Sequence, residues 1–88
     1  MDVEFDPAKD AANLAKHGLS LAEAAQFDFS AAVVTTDDRF DYGEVRFRAF
    51  ARADGGGRCL VFTVVDRVTI RAISYRRASD REMQRHGQ

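Results

Sequence analysis

Hydrophobic and polar positions follow a helical period near the start of the chain. Asp6 and Pro7 suit the N-cap and first position of a helix, and Gly18 suits the left-handed residue that ends one. Alanines recur on one side of this segment, and charged or amide side chains recur on another. The pattern predicts a short strand over residues 3–5 and then a helix that ends at His17, with its alanine side packed closely on the sheet.

The second predicted helix begins with a capping box and is followed by a change of period. Ser20 and Glu23 have the capping-box spacing, and the positions after them predict a helix to about Phe27. Apolar residues then alternate with polar ones or run continuously, as they do in strands. Residues 79–82 repeat the capping-box spacing and predict a last helix to about His86. The predicted strands cover residues 31–36, 45–52, 59–65 and 68–75.

The strand predicted over residues 45–52 has two unlike faces. One face carries Val45, Phe47, Ala49 and Ala51, and the other carries Arg46, Arg48, Phe50 and Arg52. This alternation predicts a half-buried strand with an arginine-rich outer face. Residues 59–65 are apolar on both faces, which is typical of a central strand, and residues 53–58 between the two strands predict a hairpin loop.

These elements predict the order β-α-α-β-β-β-β-α. Segregated helices beside consecutive strands are typical of the α+β class, here with a mostly antiparallel sheet of about four or five strands, two N-terminal helices and one C-terminal helix. The 88 residues predict one domain that spans residues 1–88, since a second would have too little sequence for its own core.

Composition narrows the class of protein. The chain is 45% hydrophobic and 31% charged, which is typical of a globular protein and not of a disordered one. No apolar run has the ~18 residues of a membrane span, and acidic residues occupy the place of the basic region of a signal peptide. We therefore expect a cytoplasmic protein. Cys59, the single cysteine, excludes an internal disulfide and is expected to be a small buried hydrophobe.

Charge is divided unevenly along the chain. Residues 1–45 carry ten acidic and three basic residues, whereas residues 46–88 carry four acidic and ten basic residues, all arginine. Such a division is expected of a surface that meets phosphates or an acidic partner. It is equally consistent with two halves that neutralise each other in the fold.

The first helix carries a polar stripe. Lys9, Asn13, Lys16 and His17 lie at i, i+4, i+7 and i+8, so they share one side and present two ammonium groups, an amide and an imidazole. These groups are compatible with a phosphate ligand. The alternative is a solvated helix face, because cations in the last turn interact favourably with the helix dipole.

A second candidate set lies on the last predicted strand. Arg71 interrupts its apolar alternation, and strict alternation places Tyr75 on the same face as Arg71 and Ile73. Arg76 and Arg77 follow where the strand ends. Arginine is well matched to phosphate, because its planar fork donates two parallel hydrogen bonds.

The alternative for these arginines is an internal salt bridge. Glu44 or Glu82 is the candidate partner for such a salt bridge, and Glu44 is equally a candidate general base. His17 and His86 are far apart and no carboxylate cluster accompanies either, so no metal ligand set and no cofactor is expected. The acidic turn formed by Asp37, Asp38 and Asp41 is expected to be solvated.

Three segments together resemble the BrnT family of toxins from bacterial type II toxin–antitoxin pairs. They are "FDPAKDAANLAKHG" at the start, "YGEVR" in the middle and "IRAISYRRAS", followed by Glu82, near the end. The resemblance covers nearly the whole chain. It implies a RelE-like fold and a ribonuclease that arrests translation. It also implies neutralisation by a BrnA-like antitoxin with a ribbon-helix-helix DNA-binding part, through which alone the toxin would meet operator DNA.

RNA supplies its own nucleophile, the 2′-OH, so the residues allow cleavage of single-stranded RNA without a metal. The imidazole of His17 suits proton transfer, and cationic groups suit stabilisation of the phosphorane charge. The candidate catalytic residues are His17, Lys16, Arg71, Arg76 and Glu44. The candidate RNA-binding residues are Lys9, Asn13, Arg77, Arg46, Arg48 and Tyr75, with Phe50 or Tyr75 as a base-stacking surface.

Two other functions are compatible with the same sequence. One is a non-catalytic module whose arginine face binds nucleic acid or an acidic protein. The other is an inactive toxin remnant that serves only as co-repressor with its antitoxin.

Overall fold

The chain forms five strands, two α-helices and two short 3₁₀ helices, and a computed structural model describes all of residues 1–88. The strands are β1 (Asp2–Glu4), β2 (Val33–Asp37), β3 (Arg46–Ala53), β4 (Gly56–Val64) and β5 (Thr69–Ala78), and the α-helices are α1 (Pro7–His17) and α2 (Asp80–Arg85). The 3₁₀ helices, Leu21–Gln26 and Phe29–Ala31, lie between α1 and β2. None of the helices has the length and apolar character that crossing a bilayer requires.

The strands form one sheet in the order β1-β5-β4-β3-β2. β1 pairs with β5 in parallel, and the other three pairings are antiparallel. The predicted α+β class with a mostly antiparallel sheet is confirmed, and the three predicted helical segments form together with one further short 3₁₀ helix, Phe29–Ala31. β4 lies at the centre and is buried along most of its length, as the apolar pattern of residues 59–65 predicted.

Two predicted elements differ in detail. The second helix is 3₁₀, although its capping box forms in full, with Ser20 and Glu23 each bonding the other's backbone N–H. The predicted loop over residues 53–58 is shorter in the structure, because Gly56 already belongs to β4. Asp54 and Gly55 make the turn with φ of 51° and 78°. Two left-handed residues are what a tight two-residue hairpin turn needs.

The two faces of the sheet have different partners. We call the closed face the one covered by the 3₁₀ helices, where Leu21, Ala24 and Phe27 pack on Ala49, Leu60 and Ala72 in a cluster of 11 buried residues. We call the opposite side the open face. Its buried hydrophobic cluster has five residues, Phe50, Cys59, Val61, Ala78 and Met83, and α2 covers only the end at which Met83 packs. Cys59 is buried, as predicted.

Helix α1 lies beside the free edge of β5, and this corrects the prediction for its alanine side. Ala8, Ala11, Ala12 and Ala15 are exposed, whereas Asn13 is buried. The Asn13 amide nitrogen donates to the carbonyl of Tyr75 at 2.9 Å, and its oxygen accepts from the Tyr75 N–H at 3.1 Å. A strand edge presents polar backbone groups, so an amide and not an alanine is the side chain that satisfies it.

A β-bulge in β5 corrects the predicted face of Tyr75. Val61 pairs with Ser74 and Phe62 with Ala72, so Ile73 is an extra residue in β5. The extra residue shifts the alternation by one, and Tyr75 therefore turns to the closed face, where it is 4% exposed and packs edge-on against Phe27. Arg71, Ile73 and Ser74 stay on the open face.

At the start of the last helix, only one of the two hydrogen bonds of the predicted capping box forms. The Ser79 hydroxyl accepts from the Glu82 N–H at 3.1 Å, but the Glu82 carboxylate turns to Arg76 and does not return to the Ser79 backbone. Met83 packs against Gly57, where a side chain would collide with it. His86 stacks on Phe50 with ring centroids 3.8 Å apart. α2 is thus fixed to the sheet by an ion pair, a buried methionine and a ring stack.

Candidate active site

A cleft lies where α1 meets β5 on the open face. Lys9, Lys16 and His17 line it from the helix, and Ile73 and Ser74 line it from the strand, around a volume of about 210 Å³. The stripe predicted from the spacing on α1 therefore faces this cleft and not bulk solvent alone. Ala12 and Asn13 complete its wall. We refer to this space as the α1 cleft.

A second space continues the α1 cleft along the open face. Its volume is about 290 Å³, and its lining consists of Asp6, Lys9, Glu44, Arg46, Arg71 and Ile73. We refer to it as the arginine groove. Lys9 and Ile73 border both spaces, so the two form one continuous surface. Two lysines, two arginines and one histidine are brought together there from α1, β3 and β5.

His17 is the titratable group best placed for proton transfer in the α1 cleft. Burial lowers the pKa of its imidazole below the ordinary value of 6.5, and the nearby charges of Lys16 and Arg76 lower it further. The neutral imidazole is therefore the favoured form at neutral pH. A neutral imidazole has a free nitrogen lone pair that can accept a proton.

Arg76 lies close enough to His17 to affect its titration, and α2 holds it in place. Two nitrogens of Arg76 donate to the two carboxylate oxygens of Glu82, each at 2.8 Å. This hydrogen-bonded pairing lowers the pKa of Glu82. Arg76 retains a further donor contact, to the carbonyl of Arg77 at 3.2 Å. The guanidinium is thus oriented by a bidentate contact before any ligand arrives.

The two arginines of the arginine groove are also paired. Arg71 bonds Glu4, its neighbour on β1, at 3.4 Å. Of the two predicted partners, Glu82 pairs with Arg76 and Glu44 pairs with no arginine of β5. Arg46 bonds Glu44 at 3.1 Å and lies over the ring of Tyr42. Glu44 therefore anchors Arg46 at the rim of the groove. These pairs are partly exposed, so a phosphate can compete for the guanidinium groups.

Three predicted site residues have structural contacts in place of a free polar group: Asn13 in the wall of the α1 cleft, and Tyr75 and Arg77 outside it. The hydrogen bonds of Asn13 go to the backbone of Tyr75 and Leu19, so its amide holds α1 on β5. Tyr75 is buried on the closed face and is not available for stacking. Arg77 points to the same side and donates to the carbonyl of His17 at 3.2 Å, which caps the end of α1.

Phe50 and Arg48 lie on the open face but outside both spaces. Phe50 is fully buried beneath Arg48 and His86, so it offers no surface for a base. Arg48 occupies the middle of β3 and lies between the arginine groove and α2.

Sequence reasoning missed two polar residues that shape this surface. Ser74 reaches the α1 cleft only because of the bulge at Ile73, and strict alternation would have placed its side chain on the closed face. Asp37 was expected to be solvated with Asp38 and Asp41, but it is 4% exposed and accepts from Arg39 at 2.7 and 2.8 Å. Arg39 holds the pKa of the Asp37 carboxyl at about 2. A pairing with a residue two positions away in a turn has no periodic signal in the sequence.

Nucleophilic and metal-ligating groups are sparse on this surface. No group of three or more His, Cys, Asp or Glu side chains is arranged to hold a metal ion. Burial raises the pKa of the Cys59 thiol, which lies beneath the open face and is inaccessible. The chemistry available at the α1 cleft is that of an imidazole, two ammonium groups and a hydroxyl.

Comparisons with known proteins place this chain in a class. The sequence model of a family described as "Ribonuclease toxin, BrnT, of type II toxin-antitoxin system" matches residues 5–82. The class that this family model describes is that of ribonuclease toxins from type II toxin–antitoxin pairs. More particularly, the chain belongs to the BrnT toxin family.

The fold is similar to that of a solved member of this family. The crystal structure of the Brucella abortus ribonuclease toxin BrnT superposes with a TM-score of 0.71 at 27% sequence identity. The match covers 91% of this chain and 99% of that one. A comparison with curated protein sequences finds no significant match. Membership of the family implies an antitoxin partner, since such toxins act in pairs with one.

Proposed function

We propose that the protein is a metal-independent endoribonuclease that cleaves single-stranded RNA at the α1 cleft and so arrests translation. The observation that carries the proposal is the convergence of His17, Lys16 and Lys9 from α1 with Ser74 of β5. A proton acceptor and two cations face one space there, and the arginine groove continues it. The cytoplasm is the expected compartment, because the RNA substrate is found there.

The reaction begins at the 2′-OH of the substrate. His17 takes the proton of this hydroxyl, and the oxygen attacks the adjacent phosphorus to form a phosphorane. The bond to the 5′-oxygen of the next nucleotide then breaks, which leaves a 2′,3′-cyclic phosphate and a free 5′-OH once that oxygen gains a proton. A lowered pKa supports His17 as base, because its imidazole is neutral before the reaction starts.

Cationic side chains supply the second contribution. Negative charge grows on the phosphoryl oxygens, and Lys16 with Arg76 lies on the His17 side of the cleft to meet it. Lys9 joins the cleft to the groove, where Arg71 and Arg46 would bind the flanking phosphates. Charge stabilisation of this kind is commonly worth ~10²- to 10³-fold per group. Glu44 is engaged with Arg46, which favours an anchoring role for it and leaves His17 as the proton acceptor.

Cleavage in the absence of metal tests the proposal directly. Purified protein should cut single-stranded RNA in EDTA and leave products with cyclic phosphate ends. His17→Ala should lower the rate by ~10²- to 10⁴-fold, and Arg71→Ala should lower it as well. The matched control is Arg67→Ala, which removes an exposed arginine from the β4–β5 turn, outside both spaces. Unchanged thermal unfolding would show that each variant is folded.

The outcome separates catalysis from simple binding. Full activity of both His17→Ala and Arg71→Ala would overturn the site assignment. Salt-sensitive binding of RNA by the wild type with no turnover would instead favour the non-catalytic module.

The partner is proposed from the family. An antitoxin with a ribbon-helix-helix DNA-binding part would neutralise the toxin and would carry the pair to operator DNA. Induced expression in bacteria tests this relation. Growth arrest that the neighbouring gene relieves supports a live toxin with its antitoxin. Absence of arrest in both conditions would favour a co-repressor that has lost its activity.

A further inference from the structure

One arginine of the open face has no counter-charge. Five arginines on or beside this face each donate to a carboxylate, in the pairs Arg39–Asp37, Arg46–Glu44, Arg52–Asp80, Arg71–Glu4 and Arg76–Glu82. Arg48 has no such pair. Its Nε is buried without any hydrogen-bond partner. A buried donor without an acceptor is costly, so such a group in a native fold calls for a ligand or another explanation.

A second unpaired group lies beside Arg48. Thr35 is its partner in the register between β2 and β3, and the Thr35 Oγ1 atom is also buried without a hydrogen bond. The two atoms are not bonded to each other. The guanidinium rests on Phe50, with 5.8 Å from Arg48 Cζ to the ring centroid, and this apolar support limits how far it can turn away. Arg48 and Thr35 thus offer a cation and a hydroxyl from neighbouring strands, ~4.8 Å apart.

The register aligns these two residues with the α1 cleft. Arg48 pairs with Val61, and Val61 pairs with Ser74, so the four residues form one row across the sheet from β2 to β5. Ser74 lines the cleft next to His17. Two strand spacings separate Ser74 from Arg48, which is roughly 10 Å. Val61 alone lies between them, and its side chain adds no charge.

We propose that RNA crosses the open face at right angles to the strands, with a phosphate next to the cut bond bound by Arg48 and Thr35. The inference rests on the proposed function, because the position of the cut bond is taken from the α1 cleft. It adds the direction of the substrate and a second phosphate subsite. Contacts of this kind hold the backbone and do not read bases, so the subsite binds RNA of any sequence.

An acidic protein segment is the competing ligand for Arg48. The row favours RNA, because it leads from Arg48 to the cleft that holds the proton acceptor. Binding of a carboxylate from a protein partner would not require Arg48 to lie in line with the α1 cleft. The experiment therefore includes an acidic peptide as a second probe.

Binding of short oligonucleotides tests the subsite without requiring cleavage. The probes are 2′-deoxy oligonucleotides of about two to six nucleotides, titrated against the full chain as wild type, Arg48→Gln and Arg67→Gln. For the wild type, affinity should rise by about 5- to 10-fold when the probe becomes long enough to reach Arg48. Arg48→Gln should lose this gain, and its slope of log affinity against log salt should fall by about 0.7, the value for one phosphate on a single strand.

The control variants separate binding from folding. Arg67→Gln removes the same charge from an exposed turn and should keep the gain with length. Arg48→Gln should unfold at the same temperature as the wild type or higher, because it removes a buried Nε that has no hydrogen-bond partner. Thr35→Val should reduce in part the rise in affinity with oligonucleotide length.

Two failures can be told apart. If Arg48→Gln retains the full gain with length, the subsite is wrong, whatever the wild type does to RNA. If the wild type cuts no RNA at all, the proposed function fails even where the oligonucleotides bind as expected. If Arg48→Gln weakens binding of a poly-glutamate peptide and not of the oligonucleotides, the surface belongs to a protein partner and the subsite is overturned.

Discussion

The closed and open faces of the sheet are built from the same three long strands but have opposite surroundings. On the closed face, alternating apolar side chains of β3, β4 and β5 meet the 3₁₀ helices and form the larger core. On the open face, arginines occupy three of the four alternate positions of β3, and only α2 covers part of the surface. A sheet of this size stabilises the fold mainly through one face. The other face is then free to carry charge.

The β-bulge in β5 determines which of its side chains lie on the closed face and which lie on the open face. Before the bulge at Ile73, its odd-numbered residues face the open side, and after the bulge the even-numbered Arg76 does. The single extra residue places Tyr75 in the closed core and Arg76 beside His17. Asn13 then holds α1 against the edge of this same segment. Stability and site geometry are therefore fixed together along a few residues of one strand.

The largest expected effect comes from breaking the contact between α1 and the edge of β5. Asn13→Ala removes three hydrogen bonds and leaves the backbone N–H and carbonyl of Tyr75 unpaired in a buried setting. We expect the free energy of unfolding to fall by about 3 kcal/mol, measured by urea denaturation. Lys9→Ala, an exposed change on the same helix, should stay within ~0.5 kcal/mol. Equal stability of the two variants would contradict the edge contact.

A smaller loss of stability should follow from adding a side chain at Gly57, at the end of the open face that α2 covers. A Cβ atom at Gly57 would lie 2.6 Å from the Ala78 carbonyl oxygen and 2.5 Å from Met83 Cγ. Gly57→Ala should therefore displace α2 and destabilise the protein by about 2 kcal/mol. Gly56→Ala meets only the flexible end of Arg58 and is the matched control. If both variants melt alike, α2 is not packed on Gly57 as described.

Acid should lower the free energy of unfolding through Asp37, which lies at the edge of the open face. The pKa of this carboxyl falls from 3.8 to about 2 in the folded protein, because Arg39 donates to both of its oxygens. Its contribution is present above pH ~4 and is lost as the pH falls towards 2, with about 2 kcal/mol as the upper value. The difference in unfolding free energy between wild type and Asp37→Asn should shrink over that interval. Asp38→Asn, at an exposed neighbour, should show no such change.

The smallest expected effect concerns the titration of His17. Lys16 is one cause of its lowered pKa, after burial. Lys16→Gln should therefore raise the pKa of His17, which NMR of the imidazole measures as the pH is changed. Lys9→Gln is the control, since Lys9 is not among the groups that lower this pKa. In the wild type the rising limb of the cleavage rate should lie below pH 6.5 and should move upwards in Lys16→Gln. A midpoint above 6.5 in the wild type would contradict the role of His17 as a neutral base.

Most of the fold was predictable from local signals. Caps at Asp6, Ser20 and Ser79 begin helical segments in the structure, and Gly18 ends α1 with a φ of 73°. The alternation of β3 predicted both of its faces correctly. These features depend on neighbours in sequence or on a period of two, and a single chain displays both.

The candidate site was predictable in its helix and not in its strand. The spacing of Lys9, Lys16 and His17 was sufficient to bring them into one cleft. Asn13 shared that stripe, yet its role depends on where β1 ends and leaves the edge of β5 free, which is a property of the tertiary fold. The faces of Tyr75 and Ser74 depend on an extra residue in a strand pair, and alternation cannot show it.

Asn13 also limits how the sheet can grow. On the α1 side, the three-residue β1 and then the helix occupy the outer edge of β5, so further strand pairing is restricted there. The five-residue β2 is the longer edge whose outer backbone groups remain unpaired by another strand. A strand that joins this sheet in an assembly, whether from a partner or from a second copy, therefore finds the longer free edge at β2, next to Thr35 and the row that leads to the α1 cleft.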